Sequence, residues 1–208
     1  GSVHAIAEKD TRRMIAYSSV AQIGYIYMGI GMGTGMGMVA AVFHIFTHSI
    51  TKALLFISAV GLYEVSGNRT DYHSLRGAAY RNPLAGIGFA VGSLSMVGFP
   101  MLSGFISKLL FATSALHCAG KMLPTIIVLA VSTTLNAVYF LRLVITLYSR
   151  RQSPAGEAGA GGREAFPVPE KKGPSPVRGS WMLGLSILCL IGLNLFLGTL
   201  SQPIVQAI

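Results

Sequence analysis

The sequence predicts an all-α membrane protein with about five transmembrane helices, one of them broken. Three observations carry this. Charged residues make up only 11% of the 208-residue chain and mean hydropathy is +0.60, whereas soluble domains hold about 25% charged residues. Apolar runs long enough to cross a bilayer, about 18 residues or more, recur along the chain. The basic residues gather in alternate polar segments, as membrane topology requires.

The spans fall at 14–33, 36–63, 83–116, 124–148 and 181–205. Between the first two lies a Gly/Met-rich run, Gly29 to Met38, which reads as an apolar turn. The third span is too long for one straight helix across a core of about 30 Å. It also contains Gly98, Pro100 and Gly104. Pro100 removes a backbone donor and clashes with the preceding turn, and the two glycines are expected to add conformational freedom. Two half-helices joined by a short unwound piece follow. Residues 149–180 are rich in Gly, Pro and charge and read as a flexible polar loop. The last span, 181–208 with its tail, opens on Trp181, the only tryptophan, where an interfacial anchor belongs.

Five spans place residues 1–13, 64–82 and 149–180 on one side of the membrane. Those segments hold twelve Lys/Arg, and the opposite side holds only Lys121. By the positive-inside rule the basic side is cytoplasmic and the C-terminus outside. The formal net charge of +9 is thereby explained without a nucleic-acid partner, since the cations form no single stripe. Cys118 and Cys189 suggest neither a disulfide framework nor a thiolate metal site. No phosphate-binding loop, metal-ligand spacing or catalytic triad is present, so no cofactor is expected in this chain.

Lys52, Lys108 and Arg142 lie within spans, and all seven acidic residues lie outside them or at their ends. A lysine at a helix centre costs roughly 2.5–3.5 kcal/mol on insertion scales, and such residues usually mark ion pathways. Arg142 is close enough to its span end to snorkel to the interface. His44, His48 and Lys52 are spaced i, i+4, i+8 on one helix face, a row of roughly 12 Å. Thr47 and Thr51 flank it. Histidine exchanges protons near neutral pH, so the row can pass protons through short water links; packed histidines between helices are the plainer alternative. Lys108 follows the broken span, with Ser95, Ser103 and Ser107 able to bind water. Discontinuous helices near the midplane mark ion sites in transporters.

Three segments together resemble the antiporter-like subunits of respiratory complex I (L, M and N types), of Mrp cation/proton antiporters (A and D types) and of related membrane-bound hydrogenases. Asp10-Thr11-Arg12-Arg13-Met14-Ile15-Ala16-Tyr17-Ser18-Ser19, followed by Gln22-Ile23-Gly24-Tyr25, is similar to one family motif. The stretch Phe43 to Phe56 (FHIFTHSITKALLF) and the stretch Gly98 to Lys108 (GFPMLSGFISK) are similar to two more. The resemblance covers about 1–148; the last span agrees only in position and hydropathy.

The resemblance implies that these helices form the second of two inverted repeats and that the first lies upstream. It implies a central relay of Lys52 with His44 and His48. It implies that Lys108 is a terminal lysine exchanging protons with the outer side. Asp10, Arg12 and Arg13 become a cytoplasmic anchor, with Arg12 in place of a more easily deprotonated lysine. A lysine at 108 argues against an M type and the His-His-Lys row against an N type. The chain also shows no long lateral helix of the L type, which leaves a D-type-like subunit. The implied activity is proton translocation across the cell (inner) membrane within a cation/proton antiporter or a redox-driven NADH:quinone oxidoreductase- or hydrogenase-like complex. The expected partners are other membrane subunits, the lipid bilayer, protons and Na+; the chain itself would do no redox chemistry. A standalone transporter of a small anion and a purely structural membrane subunit are the alternatives. A chain parted from its first repeat is expected to leave Lys52 facing lipid.

Overall fold

The computed structural model describes residues 1–118, 120–149 and 180–200. Among these residues eight helices run in order: α1 Ser2–Ala7, α2 Thr11–Gly31, α3 Gly35–Glu64, α4 Ala78–Arg81, α5 Pro83–Val97, α6 Ser103–Leu116, α7 Met122–Tyr148 and α8 Ser180–Thr199. No strand occurs among the described residues. Three helices, Gly35–Glu64, Met122–Tyr148 and Trp181–Thr199, are long and apolar enough to cross a membrane, and α5 and α6 are shorter apolar helices. Helix α2 is long enough, but Arg12, Arg13, Ser18, Ser19 and Gln22 dilute its hydropathy. Each expected span therefore has its helix, and the third is two. The polar stretch 149–180 lies outside the described residues apart from Ser149 and the backbone of Ser180, as does the end of the last span beyond Leu200.

Helix α3 is the axis of the bundle, packed against α2, α5, α6 and α8. Its Leu54, Leu55 and Leu62 meet Phe89 of α5, Phe140, Leu143 and Leu147 of α7 and Ile187 of α8 in the main core. Tyr25, Met32, Ala40, Phe111, Ala115 and Leu129 build a second core near the α2–α3 turn. The outward faces are apolar too: Ile127, Val131, Val138 and Ile145 on α7 and Leu185, Leu188 and Phe196 on α8 are exposed. An apolar surface of that kind suits lipid, not water.

The polar segments gather at two ends. Asp10 caps α2, accepting from the Arg13 N–H at 3.1 Å, and takes a hydrogen bond from the Thr70 hydroxyl. The Thr11 N–H donates to the Thr70 carbonyl at 3.0 Å. The Gly77 N–H reaches the Thr146 carbonyl at 3.3 Å, and the Arg142 guanidinium lies over Tyr72, 5.1 Å from its ring centre. Segments 1–13, 64–82 and the end of α7 thus share one end. At the other, Thr34 caps α3 and meets the Ser114 hydroxyl at 3.2 Å, and Lys121 Nζ donates to the Gly31 carbonyl at 2.7 Å.

Three expectations need correction. Lys52 does not face outward: it is 7% exposed because α2 covers it. Gly104 does not loosen the break. It lies inside α6, and a Cβ there would sit 1.8 Å from the Ser95 carbonyl oxygen, so its role is to let α6 touch the α5 backbone. Pro100 does not end the first half-helix either. Helix α5 stops at Val97 because Gly98 takes φ +93. The Gly98 and Phe99 N–H groups then fold back to the Leu94 carbonyl at 3.0 and 2.9 Å, a Schellman-type ending. Pro100 follows in the unwound piece, where helix cannot resume.

Candidate functional site

Both membrane lysines meet backbone oxygen. Lys52 Nζ donates to the Ile15 carbonyl at 2.5 Å and to the Ser18 hydroxyl at 2.6 Å. Lys108 Nζ donates to the Met96 and Val97 carbonyls at 3.0 and 2.6 Å. These last two carbonyls belong to the final turn of α5, where carbonyls have no partner within the helix and the dipole is negative. Lys108, borne on the second half-helix, therefore caps the first. Its stem runs along Gly98, whose missing Cβ would lie 2.9 Å from Lys108 Cδ. No carboxylate joins either ammonium among the described residues.

Helix α3 supplies the row between them. The rings of His44 and His48 stack, with centroids 5.9 Å apart and planes at 14°. His44 is 4% exposed and edges onto Phe111 and Tyr25. His44 Nδ1 and the Ser107 hydroxyl are 2.5 Å apart; which of them donates depends on the tautomer. Ser107 is the neighbour of Lys108 in the chain, so α3 and α6 meet at the lysine. Lys108 Nζ also sits 6.0 Å from the Tyr25 ring centre.

A narrow cavity, with room for about one water molecule, opens among these groups. It is lined by Gln22 of α2, His44, Thr47, His48 and Thr51 of α3, Ser95 and Met96 of α5, and Gly104 and Lys108 of α6. Gln22 Nε2 and His48 Nδ1 are buried without a partner among the described residues. Unpaired buried polar atoms cost free energy, and a water in this cavity would satisfy them. A proton can then travel by exchange among histidine, hydroxyl, water and ammonium groups over short steps.

Beside the cavity lies a closed ring of hydrogen bonds. Thr51 and Ser95 hydroxyls are 3.4 Å apart and Ser95 and Ser103 hydroxyls 3.3 Å. Asn194 closes the ring, accepting from the Ser103 N–H and hydroxyl at 3.3 and 3.1 Å and donating to the Thr51 hydroxyl at 2.9 Å.

Of the residues singled out from sequence, His44, His48, Gly104 and Lys108 converge on the cavity, with Gly98 against the Lys108 stem, while Lys52, one turn beyond His48 on α3, gives its ammonium to Ile15 and Ser18 of α2. Pro100 stands at the exposed bend beside them. Asp10, Arg12 and Arg13 do not converge; they sit at the basic end, where the Arg12 guanidinium lies 5.0 Å from the Tyr63 ring centre. Ser18 and Gln22 were legible only as parts of a motif. Asn194 was missed, although it is the one amide in α8, and a buried amide in an apolar helix is a sign of helix-to-helix hydrogen bonding.

A family model for the transmembrane region of NADH:quinone oxidoreductase/Mrp antiporter proteins matches residues 1–135. NADH-quinone oxidoreductase subunit N of Desulforudis audaxviator is 37% identical over 169 residues, covering 81% of this chain and 32% of that protein. Subunit L of Buchnera aphidicola is 33% identical over 150 residues, covering 71% of this chain and 23% of that protein. The chain thus spans about a third or less of the length of these curated relatives. Among solved structures, the Mrp complex from Dietzia sp. aligns over 98% of this chain and 42% of the chain it matches, with a TM-score of 0.79 at 24% identity, a likeness of fold. N-type, L-type and Mrp proteins all appear, so these matches do not separate the family's types.

Proposed function

Since the chain belongs to the NADH:quinone oxidoreductase/Mrp antiporter transmembrane family, we propose that it carries protons across the membrane as part of a larger subunit in a multisubunit complex. The observation that carries this reading is the water-sized cavity lined by His48, His44 and Lys108, with the His44–Ser107 contact beside Lys108 and with Lys52 one helical turn beyond His48 on α3. A purely structural role leaves the two lysines unexplained, because they stabilise no carboxylate and each is costly in a membrane. An anion carrier needs open counter-charge, whereas both ammonium groups here are taken up by carbonyl oxygens.

In this reading Lys52 receives a proton from the preceding part of the subunit and passes it along the His48–His44 row. Lys108 accepts it and releases it towards the other side. The charged ammonium is held by the carbonyls that end α5, so losing its proton weakens those charge-assisted bonds and loosens the break. Proton release and the geometry of the broken helix are coupled. Residues 1–148 form the conducting part, 149–180 a cytoplasmic linker and 181–208 the last span, with the basic end cytoplasmic. No cofactor is assigned to this chain. Its partners are other membrane subunits, and either cation exchange or distant redox chemistry supplies the drive.

The test is Lys108→Ala in the complete, assembled complex. Proton transport, followed by dye quenching in inverted vesicles, is expected to fall to near background while assembly is retained. A normal quench signal would sink the proposal.

A further inference from the structure

The start of α6 lacks a cap of its own. Its N-cap residue is Leu102, whose side chain cannot accept a hydrogen bond, although its backbone, at φ −103 and ψ 153, has the extended shape of a capping residue. The first N–H groups of a helix have no partner within it, and a buried end left bare is costly. Two side chains from other helices do the capping instead. Ser95 of α5 accepts from the Gly104 N–H at 3.2 Å. Asn194 of α8 accepts from the Ser103 N–H at 3.3 Å and from its hydroxyl at 3.1 Å. The amide nitrogen of the same Asn194 donates to Thr51, next to Lys52 in the chain, at 2.9 Å. Asn194 is fully buried. One turn later Gly198 lies against the break, with its would-be Cβ 2.2 Å from the Met101 carbonyl oxygen. Helix α8 thus touches the unwound piece with backbone and holds the helix after it with a side chain. It does so from outside residues 1–135, the segment the family model matches.

We infer that Asn194 is a positioning residue: it caps the second half of the broken helix from α8, ties it to Thr51, and so holds Lys108 against the Met96 and Val97 carbonyls. The argument is geometric. An amide offers a carbonyl acceptor and two N–H donors, and here both ends are used, one on each lysine-bearing helix. Removing it leaves the Ser103 N–H bare and opens the ring of hydrogen bonds at two points. The first turn of α6 is then held only by Ser95, and Lys108 sits about one and a half turns further along the same helix. The inference deepens the proton-transport reading and rests on it for its functional consequence.

The test uses the complete protein in its assembled complex, with Asn194→Leu, which keeps the shape and removes the hydrogen bonds. Proton transport is expected to fall on the order of tenfold or more, as for a small misplacement of a reacting group. A second substitution, Leu102→Asn, gives α6 a cap from its own chain in the residue type that caps best. Transport in Asn194→Leu/Leu102→Asn is expected to recover substantially, which a general loss of packing at α8 would not allow. Independently of activity, backbone hydrogen exchange at Ser103 and Gly104 should speed up in Asn194→Leu and slow again in the double variant. Unchanged transport in Asn194→Leu, with Lys108→Ala inactive, would overturn the positioning role and leave the transport reading standing. Unchanged transport in both variants would instead overturn the transport reading. Failure of Leu102→Asn to restore either exchange or transport would overturn the capping argument.

Discussion

Replacing Gly104 by alanine should stop proton transport through a displacement that can be worked out in advance. The new Cβ would sit 1.8 Å from the Ser95 carbonyl oxygen, where ordinary contact begins at 3.4 Å. Backbone stands on both sides, so neither rotamer change nor a flexible side chain relieves it. The first turn of α6 must move away by about 1.6 Å, the difference of those two distances. The contact between His44 Nδ1 and the Ser107 hydroxyl, now 2.5 Å, would stretch to about 4 Å if the shift falls along it, beyond hydrogen-bonding range. The bond from the Gly104 N–H to Ser95, now 3.2 Å, would fail as well. Overpacking of this sort costs about 1–3 kcal/mol of stability, which a large complex tolerates. A misplacement of about 1 Å at a reacting group lowers rate by roughly a hundredfold. Dye quenching in vesicles, normalised to assembled complex, reads the effect. Gly192→Ala is the control, since nothing lies within 4 Å of a Cβ there. Gly104→Ala at the wild-type rate, in complex of wild-type abundance, would refute the claim that close contact of α6 with α5 sets the relay.

Two further substitutions separate chemistry from folding. Lys52→Met should abolish transport without lowering the melting temperature of the purified complex: a buried charge replaced by an apolar side chain of similar length is often neutral or stabilising, and the Ile15 carbonyl keeps the Ser18 hydroxyl at 2.8 Å. A large drop in melting temperature would mean that the lysine is structural. Asp10→Ala should cost about 1 kcal/mol, the usual worth of a helix N-cap, and the cost should depend on pH. Burial pushes the Asp10 carboxyl up, but the Thr70 hydroxyl, the Arg13 and Arg12 N–H groups and the Arg12 charge together bring it below its ordinary value. Its stabilisation is therefore complete above the ordinary carboxylate range and is lost as pH falls through the lowered value. The stability gap between wild type and Asp10→Ala should narrow on acidification; a gap constant from neutral to strongly acidic pH would contradict this.

Much of the machinery is written locally. The row of His44, His48 and Lys52 needs only helical periodicity to share a face, and the ring stacking of the two histidines follows from it. The break between α5 and α6 follows from Gly98 and Pro100 within a run too long for one span. Sorting the basic segments to one end needs only the alternation of spans, and the contacts of Asp10 with Thr70 and of Gly77 with Thr146 join those segments there.

What the sequence by itself determined is the set of spanning helices, their order, and which cations lie inside the apolar spans, because hydropathy and period are properties of neighbouring residues. What only the tertiary structure decided is what those cations touch. Lys52 and Lys108 are held by carbonyls of Ile15, Met96 and Val97, and a carbonyl is the same group at every position, so no residue type announces it. Ser103 and Thr51 are held by Asn194, 91 and 143 residues away along the chain, and Gly104 is required by an oxygen of a different helix. Contacts of that range depend on how apolar helices pack side by side, which fixes distances between residues that no local pattern relates.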